Sequence, residues 1–88
     1  MEKFRTEIDS IDEEISNLLE KRFEICSQIG DFKSENNIET QDRTREKQIL
    51  AKIENSGLKY SYYIREVISK IILESKKIQE NIKWSTDF

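Results

Sequence analysis

One apolar seam governs what this chain can become. Phe4, Ile8, Ile11, Ile15, Leu18, Ile25, Ile29 and Phe32 recur in alternating steps of four and three, and Arg22 fills the one core slot that is not apolar. No proline interrupts the pattern, and the 88 residues hold only two glycines, Gly30 and Gly57. A stripe of this period, sustained for about four heptads, excludes strand and predicts one helix from Glu2 to Ser34. Gly30 falls inside it, where it is tolerated at about 1 kcal/mol relative to alanine or marks a close approach.

The rest of the chain follows the same rule. Ser34 to Thr40 (SENNIET) is polar, and Asn36 and Asn37 suit left-handed or capping conformations. A second helix starts near Thr40 or Asp42, both good N-caps, and carries Ile49, Leu50 and Ile53 on one side. Asn55-Ser56-Gly57 ends it, with Gly57 expected at the left-handed C′ position. A third helix is expected from about Ser61 to Lys83. Its seam is Ile64, Ile68, Ile71, Ser75, Ile78 and Ile82, broadened by Val67 and Ile72, with Ser75 as the polar interruption. The fold class is therefore all-α, three helices in a single domain spanning 1–88.

Length then bears on assembly. A first helix of about 31 residues is about 45 Å long. A compact globule of this size has a radius of gyration of roughly 12 Å, so the helix outruns its own domain. Its seam is apolar almost throughout, and the two shorter helices cannot cover it. The economical answer is an intertwined homodimer, with long helices crossing between subunits.

Composition closes off many functions. With no histidine and one cysteine, the chain cannot supply a His/Cys zinc site, a Ser-His-Asp triad or a Cys-His pair. Cys26 has no intrachain disulfide partner. The opening MEKFRTEIDS has no apolar signal-peptide core, and no apolar run approaches the roughly 20 residues that span a bilayer. A reduced, cytoplasmic setting without membrane association is expected. The net charge of −3 and pI near 5.1 argue against nucleic acid as a partner.

The informative residues are polar ones where Leu or Ile would pack better. On the first helix, Arg22, Ile29 and Lys33 lie within about 20° of one line, and Cys26 sits one turn above Arg22. Arg5 points about 100° away from that line, so it reaches such a pocket only in a crossed dimer. Ile72, Ser75 and Gln79 form a second line on the third helix, and Arg45 and Glu46 precede Ile49 and Leu50 on the second. Singly, each has an ordinary structural reading: Arg22 as a snorkelling core cation, Lys33 as a macrodipole partner, Asp42 as a cap, Cys26 as a small core residue. Together, inward-facing cations require carboxylate partners or an anionic ligand.

These residues resemble a known family. FRTEIDSIDEEISNLLEKRFEICSQIGDFK, then DRTRE, then IILESKKIQ, is similar to the all-helical class of chorismate mutases over about Phe4 to Gln79. An Arg beside the first apolar residue, I-D-x-I-D, L-L-x-x-R, I-G-x-x-K, D-x-x-R-E and S-x-x-x-Q occur in that order. No single motif is specific; the ordered set is.

The resemblance implies an intertwined three-helix homodimer. Each site would be built by one subunit, with Arg5 donated across the interface. It implies the Claisen rearrangement of chorismate to prephenate in aromatic amino acid biosynthesis, with no cofactor and no metal. Arg22 and Arg5 would bind carboxylates, Lys33 would bridge a carboxylate and the ether oxygen, and Gln79 would donate to that oxygen. Glu46 and the backbone near Asp42 would hold the ring hydroxyl. Ser75 would assist a carboxylate, Arg45 would orient Glu46 or add positive potential, and Ile29 and Ile72 would wall the ring. An isochorismate pyruvate-lyase of the same fold and a non-catalytic helical dimerisation module are the alternatives. Since the sequence ends soon after the third helix, neither a fused enzyme domain nor an allosteric site is expected.

Overall fold

A computed structural model of the protein describes residues 1–84, with side chains described through Glu80. It contains three helices: α1 (Glu2–Glu35), α2 (Arg43–Glu54) and α3 (Ser61–Trp84). Among the described residues there is no strand. Each helix lies within a residue or two of the span read from periodicity. The side chain of Ile82, the last of the expected α3 seam, lies outside the described residues.

The helix ends show which short-range signals operate. At the end of α1, Asn37 takes φ 54°. The N–H of Ile38 donates to Lys33 O at 2.8 Å, and that of Asn37 to Ser34 O at 3.4 Å. This is the Schellman closure, made with asparagine in place of glycine. Asp42 caps α2, its Oδ1 accepting from the Arg45 N–H at 3.0 Å. Thr40 therefore lies before the helix. At the other end Asn55 is the C-cap, which puts Ser56 at C′ and corrects the placement of Gly57. The Ser56 N–H and hydroxyl both donate to Ile53 O. Gly57, at φ 75°, then makes the left-handed turn one residue later.

α3 is the hub, packing on both α1 and α2; among the described residues, α1 and α2 do not pack on each other. Arg65 on α3 ties the α2–α3 corner together through Glu54. Farther along α3, hydrogen bonds from Lys70 and Lys77 hold the Glu74 carboxyl below its usual range.

The chain measures 49 × 32 × 14 Å, with a radius of gyration of 15.9 Å. That exceeds the roughly 12 Å expected of a compact chain this long, and the shortest dimension is barely more than one helix diameter. The seam of α1 is consequently uncovered. Phe4 is 64% exposed and Leu18 63%, and Ile8, Ile11, Ile15, Ile25 and Phe32 are exposed as well. Full burial of such a side chain contributes about 1.5–3 kcal/mol, and each of these forgoes roughly half of that or more. Among the described residues, no helix is long and apolar enough to cross a membrane.

Candidate active site

What the chain does bury is unusual. Among the described residues, those buried beside Cys26, Gly30 and Ile72 are Thr40, Ser75 and Gln79. Buried polar side chains are costly unless partnered. Here they gather around a cavity of about 390 Å³ between the C-terminal half of α1, the start of α2 and the C-terminal half of α3. That lies within the roughly 300–1,000 Å³ range of small-molecule sites.

α1 contributes Arg22, Ile29 and Lys33, one to two turns apart on a single face. The Arg22 guanidinium crosses to α3 and donates through Nη1 to Ser75 Oγ. It also approaches Cys26 Sγ at 3.8 Å. Ser75 spends its own hydroxyl proton on Ile71 O at 2.7 Å. Its oxygen is thereby aimed at Arg22, and the guanidinium keeps further N–H groups for a ligand. Lys33 donates to Thr40 O at 2.8 Å. This bond pins the ammonium to the α1–α2 loop and leaves two of its three donors for the cavity.

α2 presents Asp42, Arg45 and Glu46 at the cavity wall. Arg45 is exposed and Glu46 mostly buried. Glu46 Oε1 pairs with Lys76 Nζ at 3.0 Å. The expectation that Arg45 orients Glu46 is corrected: a cation on the facing helix fills that place. α3 supplies Ile72, Ser75 and Gln79, spaced three and four apart so that all three turn inward. Gln79 is 9% exposed. Its Oε1, like Glu46 Oε2, is buried without a hydrogen-bond partner among the described residues.

Nine of the ten residues singled out from sequence thus line one cavity: Arg22, Ile29, Lys33, Asp42, Arg45, Glu46, Ile72, Ser75 and Gln79. Arg5 does not. It lies about 25 Å up α1 from Arg22, exposed and paired with Glu2 at 3.5 Å.

A set of two buried-face cations, an inward glutamine and a paired carboxylate suits a small anion bearing carboxylates and a hydroxyl. Comparison with known proteins agrees. Residues 4–80 match the family described as chorismate mutase type II. The chain belongs to the chorismate mutase type II family. It is similar to the bifunctional chorismate mutase/prephenate dehydratase of Buchnera aphidicola subsp. Acyrthosiphon pisum (strain APS), with 39% identity over 82 residues, 90% of this chain and 21% of that protein. The protein of the same description from Aquifex aeolicus (strain VF5) is 34% identical over 91 residues, 90% of this chain and 25% of that one. The chain thus spans about a fifth to a quarter of the length of these relatives. No solved structure gave a match.

Two polar lining residues of this chorismate mutase domain escaped the sequence reading as site residues. Thr40 contributes its backbone carbonyl, which no side-chain pattern reports. Lys76 carries a usable signal: it follows Ile72 by four and precedes Gln79 by three, so it shares their face.

Proposed function

We propose that this chain catalyses the Claisen rearrangement of chorismate to prephenate. The observation that carries the proposal is the convergence of Arg22, Lys33 and Gln79 from two helices on one cavity. The reaction is unimolecular and pericyclic, so it needs no nucleophile and no general base. It gains from two things: restraint of the enolpyruvyl group over the ring, and donors at the ether oxygen as that bond breaks.

Each side chain suits one of these tasks. The Arg22 fork takes one carboxylate bidentately, in an orientation set by Ser75. Ser75 then acts through Arg22, its own proton being committed to Ile71 O. Lys33 bridges a carboxylate and the ether oxygen. Gln79 turns its amide N–H to the same oxygen. Glu46 Oε2 accepts from the ring hydroxyl, alongside the backbone at Asp42. Arg45 adds positive potential at the rim, and Ile29 and Ile72 pack on the ring. Converging cations attract a dianion even on a chain of net charge −3.

The second carboxylate falls to Arg5 of the partner subunit. The exposed α1 seam supports this reading: an antiparallel homodimer would cover it and would bring the N-terminal half of one α1 toward the cavity of the other. An apolar groove of Ile25, Ile29, Phe32 and Ile38 adjoins the cavity and suits such a helix. We place the enzyme in the cytoplasm, where the free thiol of Cys26 is kept reduced.

The test is direct. Incubation with chorismate should consume its absorbance and yield prephenate. Turnover of isochorismate to pyruvate in its place would favour the lyase, and inertness toward both would leave a dimerisation module.

A further inference from the structure

The Glu46–Lys76 pair is a feature of the cavity that the reaction as described does not use in full. Lys76 Nζ lies 3.0 Å from Glu46 Oε1, and the side chains keep only 25% and 24% of their exposure. The pair joins α2 to α3 across the cavity wall, with Ser75 beside it in sequence and Gln79 one turn on. Yet Glu46 is only half satisfied, since Oε2 is buried and unpartnered. A carboxylate oxygen in that state is costly unless something donates to it.

We propose that Lys76 is a positioning residue for the substrate's ring hydroxyl: it holds Glu46 by Oε1 and so fixes at the cavity wall a carboxylate whose Oε2 has no other partner among the described residues and can accept the hydroxyl proton. This rests on the rearrangement reading above. One physical effect follows. A glutamate side chain has several rotamers, and the tether fixes one before substrate arrives, so binding does not have to order it.

The experiment is a double-mutant cycle on the full chain, with Lys76→Met, Glu46→Gln, the double variant and Lys76→Arg, assayed for chorismate turnover. Methionine keeps the aliphatic stem and removes the charge. Lys76→Met should lower kcat/KM by about 10- to 100-fold, the scale of a misplaced contact. Lys76→Arg should recover most of it. In the Glu46→Gln background, Lys76→Met should cost almost nothing. Binding of a dicarboxylate analogue without the ring hydroxyl should be the same for wild type and Lys76→Met, whereas a purely structural role would weaken it. Lys76→Gln enters the same cycle if the methionine variant fails to fold. Three results would overturn the proposal while leaving the rearrangement reading standing: an unaltered Lys76→Met enzyme, an undiminished loss in the Glu46→Gln background, or weakened binding of the hydroxyl-free analogue. A wild-type chain inert toward chorismate overturns both.

Discussion

Arg22 and Ser75, fifty-three positions apart in sequence, are joined by a hydrogen bond that locks α1 to α3 at the cavity. The serine is 5% exposed and is itself held by Ile71 O. The guanidinium therefore rests on a relay anchored in the backbone of α3. An arginine on a long helix ordinarily samples many rotamers; this one is directed before any ligand arrives. Ser75→Ala removes the anchor and leaves the shape nearly unchanged. Hydrogen bonds to charged groups contribute about 1.5–3 kcal/mol, so kcat/KM should fall by about 10- to 100-fold. Steady-state kinetics with chorismate reads this. A Ser75→Ala enzyme as fast as wild type would mean that Arg22 needs no support.

Gln79 yields a prediction about pH. Its amide donates at any ordinary pH, whereas a carboxyl donates only when protonated. If Gln79 donates to the ether oxygen, Gln79→Glu should be depressed at neutral pH and recover as the solution is made acid. The check is a profile of kcat/KM against pH for both enzymes; a flat ratio would remove Gln79 from the ether oxygen.

Asp42 separates a fold effect from a site effect. Its carboxylate accepts from the Arg45 N–H at 3.0 Å, which makes it the N-cap of α2. Asp42→Ala should cost about 0.5–2 kcal/mol of stability, and Asp42→Asn much less, because asparagine caps almost as well. Denaturant unfolding of the two variants measures the difference. Both should retain the backbone that the reading assigns to the ring hydroxyl. Catalysis at saturating substrate should therefore survive in the folded fraction.

How legible these features were depends on how much of each signal is local. Arg22, Ser75 and Gln79 stood out because they interrupt apolar stripes of known period, and a polar residue on such a stripe must be explained. Thr40 did not, because it acts through a carbonyl that every residue has. Lys76 sits where helical spacing places it, but lysine on a helix is so commonly solvated that spacing alone carries little weight. Its pairing with Glu46 depends on how α2 docks on α3, a relationship between distant segments. The same limit applied to Gly57. The choice between Ser56 and Gly57 at C′ turned on hydrogen bonds of Ser56 to Ile53, which composition does not encode.

The exposed seam of α1 leads to the most demanding prediction. If Arg5 serves the partner's cavity, Arg5→Ala and Lys33→Ala should each be nearly inactive as pure proteins, the latter by about 10²–10³, as for other preorganised donors. Mixed, unfolded and refolded together, they should regain activity. In a mixed dimer one cavity draws an intact Arg5 from one chain and an intact Lys33 from the other, while the second cavity lacks both. Random pairing in equal amounts then restores roughly a quarter of the wild-type sites. Ile11→Glu should block this recovery by placing a charge in the seam, and should sediment as a 10.5 kDa monomer. A wild-type chain that sediments as a monomer at micromolar concentration, or a mixture that stays inactive, would remove the exchanged arginine and leave α1 without a partner.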